Sequence, residues 1–226
     1  LMLTMCTGLF AGCSKKEAAK TDINIAVMTG PTAIGLVKVM DDNENGNAAN
    51  NYNFQVYGEA TEISTGLVKG ELDVACVPCN LASVLYNKTD GGIVVAGINT
   101  LGVLYIVETG DSIHSVSDLA DKTIYTTGQG TTPEYTLRYI LSGNGLNPDS
   151  DVTIEFKSEA AEVVSALTEN PDSIAMLPQP YVTVAMNNND KLHIALDVAE
   201  EWNKISDSST IVTGVVVARK EWVDAH

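Results

Sequence analysis

The sequence is short of basic and aromatic residues, and each shortage excludes a class of protein. Its 226 residues include 13 Lys and Arg against 29 Asp and Glu, which gives a formal net charge of −16. Because nucleic-acid phosphates and anionic lipid headgroups need basic partners, this charge excludes nucleic-acid binding and argues against docking on a membrane surface through charge. Aromatic residues make up 6% of the chain and hydrophobic residues 45%. We therefore expect a mainly aliphatic core, which is typical of helix-covered parallel sheets.

Cysteines and the usual signatures of catalysis are also sparse. Two of the four cysteines lie within the first 13 residues. Only Cys76 and Cys79 remain in the body of the chain, so a disulfide-rich scaffold is excluded. His114, His193 and His226 are not spaced as a metal-binding pair, and the sequence has no Gly-x-Ser-x-Gly elbow. We predict no enzymatic activity, no metal site and no cofactor.

Residues 1–21 have the composition of a signal peptide, a lipobox and a tether. Residues 1–12 are uncharged and mostly apolar, and they are too few to span a bilayer. The residues before Cys13 (Leu-Phe-Ala-Gly) resemble a bacterial lipobox, which predicts a lipid on Cys13 and a flexible arm after it. Since no initiator Met and no basic region precede the apolar run, we expect the natural chain to begin further upstream. The predicted location is outside the cytoplasm, on the bacterial cell membrane.

One stretch, residues 73–86, organises the rest of the chain. It begins as an apolar run, passes through Pro78 and continues with helical spacing, which predicts a strand that turns directly into a helix. Residues 27–32 and 125–133 predict two more junctions of this kind. Helix N-termini offer free peptide N–H groups and the positive end of a dipole. In open α/β sheets ligands bind at such junctions, so we predict one cleft where the three meet.

Strands and helices alternate along the chain, which predicts an α/β fold with parallel sheets and right-handed crossovers. A second series of alternating strands and helices begins near residue 110. We predict one lobe from residues 22–108 with 198–226 and a second from residues 109–197, with crossings near 107–111 and 196–199. No internal repeat is evident in the sequence.

Three sequence motifs resemble a known family. Residues 69–73 (Lys-Gly-Glu-Leu-Asp), 115–122 and 175–180 have the order and spacing seen in type II periplasmic substrate-binding proteins of ABC importers. The similarity is greatest to the sulfonate-, nitrate- and bicarbonate-type lipoproteins and covers roughly residues 22–226. It implies a two-lobed type II periplasmic-binding-protein fold, with a ligand closed between the lobes. Family chains continue with C-terminal helices that pack on the first lobe, so the resemblance implies that those helices are missing here.

The resemblance also implies which loops line the ligand cleft. Their glycines permit close backbone approach, their threonines add hydroxyl groups, and none of the loops contains Arg. A small polar or anionic ligand held by neutral donors is therefore expected: a sulfonate, a nitrate-like anion or a pyrimidine-like compound. The predicted ligand-binding residues are Thr29, Gly30, Pro31, Thr32, Cys79, Asn80 and Leu81 in the first lobe, and Gln129, Gly130, Thr131, Thr132, Gln179 and Tyr181 in the second.

The predicted function is that of an extracytoplasmic solute-binding lipoprotein, a monomer, which delivers its ligand to an ABC permease by lobe closure. The alternative is an extracytoplasmic thiol–disulfide enzyme, because Cys76-Val-Pro-Cys79 resembles the thioredoxin-type motif. Cys79 would then lie at a helix N-terminus, where thiol pKa values fall. Cys76, however, lies inside an apolar strand, where we expect it to be buried.

Overall fold

The structure is a computed structural model that describes residues 19–170 and 173–226. The predicted signal peptide and the predicted lipid on Cys13 lie outside the described residues. Within the part of the chain that is described, no helix has both the length and the apolar character needed to cross a bilayer.

In residues 19–170 and 173–226, ten strands form two five-stranded sheets. The order is β2-β1-β3-β10-β4 in the first sheet and β7-β6-β8-β5-β9 in the second. The α/β two-lobed fold predicted from the sequence is thus confirmed. The strands are β1 (Asp22–Met28), β2 (Asn51–Tyr57), β3 (Val74–Pro78), β4 (Ile93–Thr100), β5 (Leu104–Glu108), β6 (Thr123–Thr126), β7 (Thr153–Phe156), β8 (Ile174–Pro178), β9 (His193–Asp197) and β10 (Gly214–Arg219).

Each sheet contains one strand that runs against the other four. β10 is antiparallel to β3 and β4, and β5 is antiparallel to β8 and β9, whereas β1, β2 and β3 pair in parallel, as do β6, β7 and β8. The prediction of parallel sheets was therefore wrong for β5 and β10. Both strands follow a crossing from the other lobe and enter their sheet at the cleft edge, so they run opposite to the strands that end there.

Helices cover both faces of each sheet. α3 ends at Lys69, and its C-cap residue is Gly70, whose φ of 77° lies in the left-handed region that favours glycine. α8 was not predicted, although Asp197 caps it by accepting hydrogen bonds from the backbone N–H groups of Ala199 and Glu200. The helices are α1 (Pro31–Ile34), α2 (Val37–Glu44), α3 (Ala60–Lys69), α4 (Cys79–Lys88), α5 (Thr132–Gly143), α6 (Ala160–Glu169), α7 (Tyr181–Asn188), α8 (Val198–Ile205) and α9 (Lys220–Ala225), with a 3₁₀ turn at Val116–Leu119.

Successive side chains of the central strands point to opposite faces of the sheet, so each face has its own apolar core. In β10, Val215 and Val217 pack with the core that includes α3 and α4, while Val216 packs on the opposite face. In β5, Ile106 and Val107 divide in the same way between two cores of the second lobe. These strands are buried on both faces, which explains why they read as continuous apolar runs.

The chain crosses between the lobes at positions that differ from the prediction. β5 lies in the second sheet, not with the first lobe, so the first crossing is at residues 101–103. α8 packs on the second lobe, where the rings of Tyr139 and Trp202 lie 4.1 Å apart, so the return crossing is at residues 206–213. The first boundary was misplaced because β5 reads as an apolar strand that suits either lobe. The second was misplaced because α8, which contains Glu200, Glu201 and Lys204, was not predicted as a helix.

Candidate functional site

The carboxyl ends of the parallel strands of the two sheets face each other across a cavity of about 470 Å³. This volume lies within the range of small-molecule sites, which is roughly 300–1,000 Å³. Both lobes contribute to the lining. From the first sheet come the ends of β1, β2 and β3 and the residue before β10; from the second come the ends of β6, β7 and β8 and the start of β5.

Six of the thirteen predicted ligand-binding residues line this cavity. Those from the first lobe belong to the junction between β1 and α1, and those from the second lobe to the loop before α5 and the start of α7. The six are Thr29, Pro31, Thr32, Gln129, Thr131 and Tyr181.

The other seven predicted residues lie outside the lining. Cys79 and Leu81 pack against the core of the first lobe. The Gln179 side chain is tied to its own helix, since its Oε1 accepts a hydrogen bond from Thr183 Oγ1 at 2.9 Å. Gly30 faces the second lobe, where a Cβ added to it would lie 4.0 Å from a ring carbon of Tyr181.

The last three of these residues, Asn80, Gly130 and Thr132, contact one another across the lobes. Asn80 Nδ2 donates to the Gly130 carbonyl oxygen at 3.2 Å. Thr132 Oγ1 donates to Asn80 Oδ1, also at 3.2 Å. A single carboxamide of α4 thus uses both its donor and its acceptor on the loop before α5. We call this pair of hydrogen bonds the Asn80 bridge.

Two further junctions line the cavity and were missed in the sequence. They are residues 58–61, after β2, and residues 156–160, after β7. The signal that could have found them is a repeat: Glu59-Ala-Thr-Glu62 and Glu159-Ala-Ala-Glu162 lie 100 positions apart, as do Pro78 and Pro178. The equivalent strand orders of the two sheets agree with this repeat. The prediction that the chain has no internal repeat was therefore wrong.

Charged side chains gather at the end of the cavity formed by β2 and β7. Among the lining residues Lys157 is the one cation, and Glu59 and Glu159 are the carboxylates. Lys157 Nζ lies 3.7 Å from Glu155 Oε2 and 5.1 Å from the centroid of the Tyr125 ring. A Cβ added to Gly58 would lie 3.3 Å from Glu159 Oε1, so this glutamate of the second lobe reaches the loop of the first.

In the described part of the chain, four helices of at least ten residues begin at the cavity without a side-chain cap on the N-cap residue. They are α3, α4, α5 and α6, with N-caps Glu59, Pro78, Thr131 and Glu159. First-turn carboxylates engage two neighbouring N–H groups: Glu134 accepts from Gly130 and Glu162 from Ser158. The remaining peptide N–H groups of these first turns can donate to a polar ligand.

The cysteine pair is placed for packing. Cys76 is fully buried in β3, and burial raises the pKa of its thiol to about 11. At neutral pH the reactive thiolate is therefore scarce. The geometry gives no support to the thiol–disulfide alternative. In the described ranges, no group of three or more His, Cys, Asp or Glu side chains is arranged to hold a metal ion.

Solved structures share this fold. An ABC transporter structure from Parabacteroides distasonis is 25% identical, with a TM-score of 0.69 over 91% of this chain and 70% of that one. The periplasmic aliphatic sulphonate binding protein from Escherichia coli is 14% identical, with a TM-score of 0.69 over 92% and 68%. The periplasmic nitrate-binding protein from Synechocystis PCC 6803 is 15% identical, with a TM-score of 0.62 over 91% and 57%.

Comparison of sequences gives the family. No curated protein sequence matches the chain significantly. Residues 50–226, well over half of the chain, match the family model described as the phosphonate periplasmic substrate-binding protein of ABC transporters. The resemblance to ABC substrate-binding proteins seen in the sequence is thereby confirmed, and the chain belongs to the phosphonate-binding family of ABC-transporter periplasmic substrate-binding proteins.

Proposed function

We propose that this protein captures a small organic anion of the phosphonate or sulfonate type between its two lobes and delivers it to an ABC permease. The observation that carries the proposal is the cavity lined by both lobes at the carboxyl ends of their strands. A solute there contacts both lobes at once, so its binding favours the closed arrangement. The crossings at residues 101–103 and 206–213 are the hinge in this proposal.

The lining supports a ligand with a compact charge and several oxygen atoms. Hydroxyl groups dominate its polar side chains, among them Thr29, Thr61 and Thr127. Lys157 supplies one positive charge, which favours an anionic head. Because Glu59 and Glu159 lie at the same end of the cavity, a singly charged head is favoured over a doubly charged one.

The proposal also covers location and assembly. The family is extracytoplasmic, and we propose that a lipid on Cys13 holds this chain at the bacterial cell membrane. We further propose that the protein acts as a monomer and has no catalytic activity of its own.

A thermal-shift screen tests the proposed function. Methylphosphonate, ethanesulfonate, nitrate and a pyrimidine are added singly to the purified chain, and the unfolding temperature is recorded. A ligand at 100 times its Kd stabilises a protein by about 2.7 kcal/mol, which raises Tm by several degrees for a chain of this size. We expect methylphosphonate or ethanesulfonate to produce such a shift. Stabilisation by the pyrimidine alone, or by none of the four, would contradict the proposal.

Lys157→Gln tests the electrostatic part. Loss of a charge-assisted hydrogen bond should weaken binding of the stabilising anion about tenfold or more. The matched control is Lys191→Gln, which removes an exposed lysine that does not line the cavity. Equal affinities for the two variants, measured by calorimetry, would show that Lys157 does not contact the anion.

A further inference from the structure

The side chain of Thr213 lacks a hydrogen-bond partner. Among the residues that the structure describes, its Oγ1 is the one buried side-chain nitrogen or oxygen atom in this condition. The residue is 8% exposed and lines the cavity at the end where β10 begins. Buried polar groups in native proteins almost always have partners, so an exception calls for a physical reason.

The backbone of Thr213 is fixed on both sides. Its N–H donates to the Thr100 carbonyl oxygen at 2.9 Å, and its carbonyl oxygen accepts from the Cys79 N–H at 3.0 Å. The residue therefore cannot shift to find a partner, and only rotation of its side chain remains. A Cβ added to the next residue, Gly214, would lie 2.7 Å from Thr32 Cγ2, so the chain on this side is tightly packed.

Nearby polar side chains already have partners. Thr100 Oγ1 donates to Asn99 Oδ1 at 3.1 Å, and Asn99 Nδ2 donates to the Thr32 carbonyl oxygen at 2.8 Å. At the same end of the cavity, Pro78, Leu104 and Pro178 present apolar surface. The polar side chains named here are thus already paired, and the neighbouring part of the cavity wall is apolar.

Thr126 shows that a buried threonine in the same cavity can be satisfied by the protein. It is 1% exposed, lines the cavity and donates from Oγ1 to the Met176 carbonyl oxygen at 3.0 Å. At position 213, by contrast, valine has nearly the same shape, would suit the apolar run Ile211–Val217, and would leave no unpaired group. A hydroxyl there needs a partner from outside the chain to be favourable.

We propose that Thr213 is a solute-binding residue, and that its hydroxyl donates a hydrogen bond to an oxygen of the solute at the end of the cavity nearest the hinge. The inference rests on the proposed capture of an organic anion in this cavity. In this proposal, the segment that joins the lobes recognises the part of the solute that lies at this end of the cavity. The Thr213 hydroxyl adds one specific hydrogen bond beside the apolar contacts with Pro78, Leu104 and Pro178.

The first test needs no solute. Thr213→Val and Thr126→Val are made in the full chain, and Tm is measured without added ligand. Thr126→Val should lower Tm by about 2–4 °C, because it removes the hydrogen bond from Thr126 Oγ1 to the Met176 carbonyl oxygen. Thr213→Val should leave Tm unchanged or raise it. A fall in Tm for Thr213→Val equal to that for Thr126→Val would show that the hydroxyl has a protein partner and would overturn the proposal.

The second test measures binding of methylphosphonate and of ethanesulfonate by calorimetry. For a probe that binds the wild-type chain, Thr213→Val should weaken binding about five- to tenfold, and Thr213→Ser should restore most of the loss. Thr89→Val, which removes a hydroxyl bonded to the Leu85 carbonyl oxygen away from this cavity, is the control. Unchanged affinity of Thr213→Val overturns the inference alone. If neither probe binds the wild-type chain, the proposed function fails, and the Tm comparison still decides whether the hydroxyl is unpaired.

Discussion

At the scale of single residues, the buried carboxylate of Asp73 joins three strands of the first sheet. Asp73 lies directly before β3, accepts from the backbone N–H of Asn24 in β1 at 2.9 Å, and accepts from Arg219 Nη2 in β10 at 2.7 Å. Burial by itself would raise the pKa of this carboxyl. The Asn24 and Arg219 hydrogen bonds outweigh it and hold the pKa below the ordinary value of 3.8.

The Asp73 network makes stability depend on pH. Because the folded-state pKa is lower than the unfolded-state pKa, the ionised carboxylate stabilises the fold fully above about pH 4. That contribution is lost as the pH falls through the folded-state pKa. Asp73→Asn should therefore lower the free energy of unfolding at pH 7 by about 3 kcal/mol, since Arg219 would lose its buried partner.

Urea unfolding at pH 7 and at pH 3 checks this prediction. The difference between wild type and Asp73→Asn should shrink at the lower pH. The control is Asp224→Asn, which removes an exposed partner of Lys220 and should change stability by well under 1 kcal/mol. A gap between wild type and Asp73→Asn that stays the same at both pH values would contradict the assigned role.

Cys76 provides a second prediction at this scale. Since the thiol is fully buried and its pKa is raised to about 11, a maleimide should not modify it in the folded protein at pH 7. Peptide mapping by mass spectrometry after labelling, with and without urea, should find Cys76 modified only in the unfolded chain. Rapid modification of Cys76 in the native protein would contradict this prediction and would support the thiol–disulfide alternative.

At the scale of elements, the Asn80 bridge ties the first turn of α4 to the loop before α5. Both of its hydrogen bonds join one lobe to the other, and Asn80 does not line the cavity. The bridge should therefore stabilise the closed arrangement whether or not a solute is bound. Two hydrogen bonds of this kind contribute on the order of 1–2 kcal/mol in total.

Asn80→Ala tests the bridge. The variant should be more open than wild type without solute, and its apparent affinity for the captured anion should fall severalfold, because a smaller fraction of molecules is closed. Small-angle X-ray scattering of the ligand-free proteins should show the larger radius of gyration. Asn87→Ala is the matched control, since Asn87 lies on the same helix and its Nδ2 donates to the Ser83 carbonyl oxygen within that helix. An unchanged radius for Asn80→Ala would exclude this role.

The junction at residues 73–86 was the clearest element in the sequence, and the structure places β3 and α4 there as predicted. Its apolar run and Pro78 are local signals, and they do not depend on the rest of the fold. The junctions after β2 and β7 were missed because Glu59 and Glu159 read as ordinary exposed residues. Only the repeat of Glu-Ala-x-Glu 100 positions later marks them.

Site residues were harder to predict than elements. Thr29, Thr32 and Thr131 line the cavity, but Cys79 and Leu81 turn into the core. The packing of a helix determines which side chains of its first turn face the cleft. The spacing of residues in a single sequence does not show how the helix packs. The unpaired hydroxyl of Thr213 could not be inferred at all, because it lies in a segment that the sequence presents as one long apolar strand.

At the scale of the whole molecule, the two lobes have the same strand order. They differ in which part of the chain supplies the antiparallel strand of each sheet. The strand orders correspond position by position, with β10 in the place of β5. The antiparallel strands β5 and β10 each follow a crossing, so the connections that we propose as the hinge lead directly into a strand of each sheet. We therefore expect movement of the lobes about residues 101–103 and 206–213 to leave both strands in place in their sheets.

The position of β10 has a consequence for the order in which the protein can form. The second sheet and α8 are built from one continuous stretch, residues 104–205, so that lobe can complete its sheet from neighbouring segments. The first sheet needs β10, where Val216 pairs with Cys76 from 140 positions earlier in the chain. Contacts so distant in sequence form slowly, because a long loop must close first. During synthesis from the N-terminus, the first lobe is therefore begun before the second lobe and completed after it.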